Sequence, residues 1–158
     1  MTYRSRAGVV FVSSVLRFGA PGSRLDNYSR GGVAVGIVDG VLRTAGHSGA
    51  DHLGFTTHER HPGSGLRFAG ACVPGWHQAV AACVAGHQRI PSLDLLSWDI
   101  AIDWDGAPVL IEINTTSQDL LMHQMENGPI PREIAAEWAE RAPFGLVAGL
   151  LVRRPPCG

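Results

Sequence analysis

Short apolar runs separated by turn residues dominate the chain, and their spacing predicts strands with a few helices. Residues 8–18 are rich in β-branched and aromatic side chains, which predicts a strand. The dipeptide Asp39-Gly40 separates two further apolar runs, at 31–38 and 41–45. A two-residue Asp-Gly connection between such runs is typical of a β-hairpin, so we expect one here.

The middle of the chain predicts a long loop, a helix and a second hairpin. Residues 46–68 are rich in Gly and His and are expected to form a loop. Apolar residues at helical spacing predict a helix from Trp76 to about Gln88. Two strands are then expected, at 95–104 and 108–114, around the turn dipeptide Asp105-Gly106.

The last third of the chain predicts helices. One is expected over 117–126 with Ser117 as its cap, and another from Pro131 to about Arg141. The apolar segment 144–152 fits either a strand or a buried helix. Strands, hairpins and helices in this order predict an α+β fold, mostly an antiparallel sheet with flanking helices.

Composition narrows the class of protein. The 158 residues are 45% apolar and 17% charged, and the formal net charge is -1. This balance disfavours a nucleic-acid binder, and no apolar run is long enough to span a membrane. Lysine is absent, so lysine-dependent chemistry such as a P-loop is excluded for this chain. Three scattered cysteines suggest a reducing compartment, and we expect a cytoplasmic protein.

The second hairpin carries the candidate chemistry. If Asp105-Gly106 forms a two-residue turn, Ile102 pairs with Val109 and Asp99 pairs with Glu112. The Cβ atoms of the two acids would then lie roughly 4.5–5.5 Å apart. Asn114 follows Glu112 on the same face because side chains alternate along a strand.

Opposed carboxylates among apolar neighbours need a compensating group. Either one carboxyl keeps its proton or a divalent cation lies between the two. Oxygen ligands from Asp99, Glu112 and Asn114 suit Mg²⁺, which in proteins usually also holds phosphate oxygens. The alternative is a register shifted by one residue, which would leave the two acids as separate solvent-facing side chains; Pro108 leaves room for that shift.

The same hairpin resembles the metal-binding hairpin of the ATP-grasp superfamily. In that family, an aspartate on one strand and an E-x-N sequence on the next bind the Mg²⁺ ions that bridge ATP phosphates. Asp99, Glu112 and Asn114 match those positions, and the resemblance also assigns Ile111 to the adenine. Segments around His61-Pro62 and 73–76 are most similar to the sugar-transfer associated group, which is found with polysaccharide-assembly genes.

A second stretch is similar to the R…N-x-x-x-G-G segment of glutamate-ligase-like ATP-grasp enzymes. Asn27, Gly31 and Gly32 match it and are implied to bind the nucleotide, although the two glycines equally fit a turn that needs positive φ. Arg17 and Arg30 are implied as catalytic cations that stabilise the transferring phosphate or an acyl phosphate. The implied reaction is ATP-dependent activation of a carboxylate, followed by attack of an amine or similar nucleophile.

The resemblance covers about residues 9–128, with 129–158 as a helical and apolar extension, and implies one partial domain. ATP-grasp enzymes hold the α- and β-phosphates with upstream lysines, which this chain lacks. We therefore expect the C-terminal lobe of the fold, either truncated or completed by a second polypeptide. The expected ligands are ATP, Mg²⁺ and a carboxylate, amine or sugar-linked substrate. Whether the chain is an enzyme stays open; the alternative is a non-catalytic binding or structural domain that retained the fold.

Overall fold

Two four-stranded antiparallel sheets form the scaffold. The computed structural model describes residues 1–22, 31–50, 54–116 and 118–141. The first sheet has the order β2-β1-β7-β8 and the second the order β3-β4-β5-β6. The strands are β1 (Thr2–Ser5), β2 (Gly8–Phe11), β3 (Ser14–Phe18), β4 (Val33–Val38), β5 (Val41–Ala50), β6 (Gly54–His58), β7 (Leu95–Ile102) and β8 (Pro108–Asn114). The expected α+β class is confirmed.

In the described part of the chain, three helices lie against these sheets. They are α1 (Trp76–Gln88), α2 (Leu120–Asn127) and α3 (Arg132–Arg141). Helix α1 packs on the first sheet, whereas α2 contacts β3 and β4 of the second. Among the described residues, no helix has both the length and the apolar character needed to cross a membrane.

Each sheet has its own apolar core. Val33, Val35 and Ile37 of β4 pack with Leu42 of β5 and with Phe68, which lies outside the strands, to form the core of the second sheet. Around the first sheet, Met1, Tyr3 and Leu95 form the smaller core, covered in part by side chains of α2 and α3. The two cores are separate clusters, and the Arg17–Asp99 contact discussed below links a strand of each sheet.

The first predicted strand is two strands that belong to different sheets. Residues 8–11 pair with β1 and residues 14–18 pair with β4, so the prediction of one strand over 8–18 is wrong. The chain leaves the first sheet at Val12 and Ser13, where the polar pair Ser13-Ser14 interrupts the apolar run. The prediction of a loop over 46–68 is also wrong in its first half, because β5 continues to Ala50 and pairs with β6.

The predicted helices agree with the structure except at their ends. Helix α1 spans the residues expected from its apolar spacing. Helix α2 begins later than expected, and its cap is Asp119, whose carboxylate accepts a hydrogen bond of 3.1 Å from the Met122 N–H. The predicted cap Ser117 and the segment 144–152 lie outside the described residues.

Candidate functional site

Asp99 and Glu112 are direct cross-strand neighbours on β7 and β8, as the sequence predicted. Ser97 and Asn114 form the next pair on the same face, because side chains alternate along each strand. Two carboxylates, one amide and one hydroxyl therefore line one patch of the first sheet. We call Asp99, Glu112 and Asn114 the acidic face.

Between the acidic face and the turn, the pairing of β7 with β8 differs from the prediction. Ile100 pairs with Leu110 and Ile102 with Pro108, so the predicted Ile102–Val109 pair is wrong. The connection is longer than two residues, since the Asp103 carboxylate accepts hydrogen bonds from the N–H groups of Asp105 and Ala107. A bulge beside Asp99 then restores the predicted register of the acids.

Arg17 joins the two sheets at the acidic face. It lies on β3, and its Nη2 atom is 3.1 Å from Asp99 Oδ2. Both side chains are about one-third exposed, so we expect this ion pair to contribute modestly to stability. The ion pair places a guanidinium beside the Asp99 carboxylate. The phosphate-stabilising role that the family resemblance implies for Arg17 stays a prediction.

Asn114 is held close to Glu112 by a side-chain hydrogen bond, and its backbone is fixed by a second contact. Its Nδ2 atom donates to Glu112 Oε1 over 3.4 Å. The Gln118 amide donates to the carbonyl oxygens of Asn114 and Leu95, at 3.2 and 3.1 Å, and so ties the end of β8 to the start of β7. The chain after the hairpin thereby fixes the position of the third predicted ligand.

The donor atoms of the acidic face fit a hard divalent cation. Carboxylate and amide oxygens are the ligands that Mg²⁺ prefers, and one or two carboxylates usually suffice for it. Arg17 offsets the charge of one acid, which leaves the group of Asp99, Glu112 and Arg17 formally anionic. A cation at this position would remove the remaining repulsion between the opposed carboxylates.

A cavity of about 190 Å³ lies beside the acidic face, between β3, β7 and α1. Arg17, Asp99 and Ser97 line it together with apolar side chains. The apolar lining includes Val15, Ile37, Trp76, Val80, Cys83 and Ile100. Burial raises the pKa of the Cys83 thiol, which keeps it a neutral, apolar part of this wall.

Two further polar residues line this cavity. Ser97 was not predicted from the sequence; its Oγ atom is buried without a hydrogen-bond partner among the described residues, and its place two residues before Asp99 was the available signal. From the sequence, His123 fits either a residue that borders the site or one on a helix surface; the structure buries it at the cavity, and its Nδ1 atom is 2.7 Å from Ser13 Oγ. Burial lowers the pKa of His123 to about 3, so the ring is neutral at physiological pH.

A chain of buried hydrogen bonds supports β7 from behind the acidic face. Trp98 Nε1 donates to Thr2 Oγ1 over 2.7 Å, and Thr2 Oγ1 lies 2.8 Å from His87 Nδ1. His87 Nε2 is 3.0 Å from the Leu93 carbonyl oxygen, to which it donates. Burial lowers the pKa of His87, which favours the neutral ring that this chain of donors and acceptors requires.

Helix α2, which carries His123, is anchored on the second sheet by a buried acid. Glu126 Oε1 lies 2.9 Å from His47 Nδ1 of β5, and the Glu126 side chain is almost completely buried. Burial raises the pKa of the Glu126 carboxyl, whereas the hydrogen bond from His47 acts in the opposite direction. The anchor holds one wall of the cavity against the second sheet.

The structure gives no further evidence for the roles predicted for the other site residues. Gly31 and Gly32 precede β4, and Gly31 has a φ of 86°, as the turn interpretation required. Ile111 is 64% exposed on the edge strand β8. Arg30 and Asn27 lie outside the described residues, so their predicted roles stay predictions.

Comparison with known proteins yields a family match. The family model described as sugar-transfer associated ATP-grasp matches residues 1–136, which include both sheets, α1 and α2. Neither a curated protein nor a solved structure matches the chain. The match covers the acidic face and every residue that lines the adjacent cavity.

Proposed function

Since the chain belongs to the sugar-transfer associated ATP-grasp family, we propose that it binds a Mg²⁺–nucleotide at the acidic face. ATP-grasp domains generally bind ATP with Mg²⁺. The observation that carries the proposal is the direct pairing of Asp99 with Glu112, with the Asn114 amide in contact with Glu112. These oxygens would hold the cation, and the cation would neutralise nucleotide phosphates.

The proposed reaction is ATP-dependent activation of a carboxylate. A substrate carboxylate oxygen would attack the γ-phosphorus of ATP, ADP would leave, and the acyl phosphate formed would lose inorganic phosphate when an amine attacks its acyl carbon. Arg17 supports this proposal, because its guanidinium lies beside Asp99 and could stabilise negative charge on the transferring group. Arg30, Asn27, Gly31, Gly32 and Ile111 would serve this site in the roles that the family resemblance implies.

A second candidate function is a non-catalytic domain that kept the fold without nucleotide binding. The Arg17–Asp99 ion pair favours this candidate, because it already offsets the charge of one predicted ligand. Under this alternative the pair only links the two sheets. The two candidates differ in whether the folded chain binds nucleotide at all.

Calorimetric titration with ATP in excess Mg²⁺ tests the proposal. Glu112 is exposed, so Glu112→Gln removes a charge at the acidic face with little effect on folding. We expect its ATP affinity to fall at least about tenfold. Asp105→Asn is the matched control, because it makes the same change on an exposed acid in the turn of the same hairpin, and it should bind like the wild type.

Two results would contradict the proposal. Equal affinities for Glu112→Gln and Asp105→Asn would place the nucleotide elsewhere. No heat of binding at millimolar ATP for the folded wild-type chain would favour the non-catalytic alternative.

A further inference from the structure

Arg60 and Arg67 lie directly opposite each other in a short hairpin that follows β6. We call residues 59–68 the arginine hairpin. Backbone hydrogen bonds of 3.1 and 2.9 Å join the residues directly before and after this pair on the two arms of the hairpin. The two arginines therefore form a non-hydrogen-bonded cross-strand pair, the arrangement in which opposed side chains come closest, with Cα atoms about 4.5 Å apart.

The arginine hairpin is held in place by contacts on the side away from the two arginines. Phe68 is completely buried in the core of the second sheet. The His61 ring stacks on Phe18 of β3, with its Nε2 atom 2.9 Å from the Gly19 carbonyl oxygen and its Nδ1 atom 2.9 Å from Ser64 Oγ. These contacts fix the backbone that carries the two cations, so the cations cannot separate without disturbing the core.

No acid in the described part of the chain offsets the charge of this pair. Both arginines are exposed, and neither forms an ion pair with a described residue. Arg60 Nη1 donates to the Gly65 carbonyl oxygen over 3.1 Å, which neutralises no charge. Glu59 precedes Arg60, but it lies opposite Phe68 and so belongs to the other face of the hairpin. Like charges directly opposed are destabilising, and a sequence that keeps such a conflict often does so for a function.

An anion with several acceptor oxygens would relieve this repulsion. Each guanidinium presents its N–H donors as a planar fork, and Arg60 uses one of its donors on Gly65. A single bidentate guanidinium already occupies both oxygens of a carboxylate. A terminal phosphate group has three acceptor oxygens and can accept from two arginines at once. The pair therefore suits a terminal phosphate better than a carboxylate.

We propose that Arg60 and Arg67 bind the terminal phosphate group of a phosphorylated ligand at the surface of the arginine hairpin. Neither arginine lines the cavity beside the acidic face, so the two sites share no side chain. A sugar phosphate and a lipid headgroup both carry this group. The association of the family with sugar transfer favours the sugar phosphate, whereas Leu66, 43% exposed beside Arg67, would favour the lipid.

Heteronuclear NMR of the full chain, without Mg²⁺ or ATP, tests the proposal through the side-chain Nε–H signals of its arginines. The probe is inorganic phosphate, and acetate at the same ionic strength is the control anion. We expect phosphate to shift the Arg60 and Arg67 signals saturably, with an affinity at least about fivefold higher than that for acetate. Phosphate at roughly tenfold its Kd should also raise the Tm of the wild type by at least about 2 °C relative to chloride.

A matched pair of variants tests the location. Arg67→Gln and Arg132→Gln each remove one exposed guanidinium, the first from the arginine hairpin and the second from the start of α3. Arg67→Gln should weaken phosphate binding at least about tenfold and lose the phosphate-dependent rise in Tm, whereas Arg132→Gln should keep both. Arg67→Lys keeps the charge without the planar fork and should bind phosphate with intermediate affinity. Thermal melts in chloride show whether each variant is folded.

Two results would overturn the proposal. Equal affinities for phosphate and acetate would reduce the pair to a general cationic surface. Unchanged phosphate binding by Arg67→Gln would place the phosphate elsewhere.

Where the phosphate site is supported, two further probes identify the source of the group. Tighter binding of a glucose monophosphate than of inorganic phosphate would assign a sugar phosphate. Co-sedimentation with vesicles that contain phosphatidic acid, and not with neutral phosphatidylcholine vesicles, would assign a lipid headgroup. Binding of inorganic phosphate alone would assign the free ion.

Discussion

Replacing Thr2 by Val tests the hydrogen-bond chain that supports β7. Thr2 is completely buried, and its hydroxyl both accepts from Trp98 Nε1 and pairs with His87 Nδ1. Val has nearly the same shape but no hydroxyl, so the change leaves both groups without this partner. A buried polar group without its partner costs about 1–3 kcal/mol. Because Trp98 is only half-buried, we expect a total loss of about 2–4 kcal/mol.

The assay is urea and thermal unfolding followed by circular dichroism. For a chain of this length the expected loss corresponds to a fall in Tm of roughly 5–15 °C. Thr2→Ser is the matched control, because it keeps the hydroxyl and should lose only about 1 kcal/mol for the missing methyl group. If Thr2→Val and Thr2→Ser were equally stable, the hydroxyl would have no structural role and the proposed chain of donors would be wrong.

Two further predictions concern the walls around the site. Gly75, the N-cap of α1, has a φ of 65°, and a Cβ atom there would overlap the Gly106 carbonyl oxygen; Gly75→Ala should therefore cost about 2–4 kcal/mol in a urea titration. Gly65→Ala, at a φ of 73° with no neighbouring atom, should cost only about 1 kcal/mol, and equal losses would refute the clash. Burial lowers the pKa of His123 to about 3 in the folded chain, against about 6.5 when unfolded. The unfolded state then binds more protons below pH 6.5, so stability should fall by about 2 kcal/mol from pH 7 to pH 5. His123→Asn should remove that part of the pH dependence, and an unchanged profile would count against a buried neutral ring.

The pairing of Asp99 with Glu112 was predicted from alternation along two strands joined by an assumed two-residue turn. The turn is longer than that, so the prediction holds only because a second irregularity restores the register at the acids. The intervening pairs were not predictable from the same rule. Asp103 lengthens the turn through its side chain, and a bulge beside Asp99 compensates for it, so Ile102 pairs with Pro108 rather than Val109. Neither the longer turn nor the bulge has a distinct sequence pattern, and their effects on the strand register cancel at Asp99 and Glu112.

Features that depend on contacts between distant parts of the chain could not be predicted from the sequence. The passage from one sheet to the other occurs at Val12 and Ser13. Ser13 and Ser14 interrupt the apolar run there, but two polar residues do not show that the strands on either side belong to different sheets. The contact of Arg17 with Asp99 spans two sheets, and its geometry follows only from their packing. The burial of His123 likewise depends on where α2 lies against the second sheet.

Paramagnetic NMR with Mn²⁺ as a substitute for Mg²⁺ tests the central claim most directly. Substoichiometric Mn²⁺ should broaden the backbone amide signals of Asp99, Glu112 and Asn114 first, and added ATP should strengthen this selective broadening. Signals of the turn acids Asp103 and Asp105 should broaden only at higher Mn²⁺ concentration. If the turn signals broadened first, or if the signals of the acidic face did not respond, the paired carboxylates would not be a cation site.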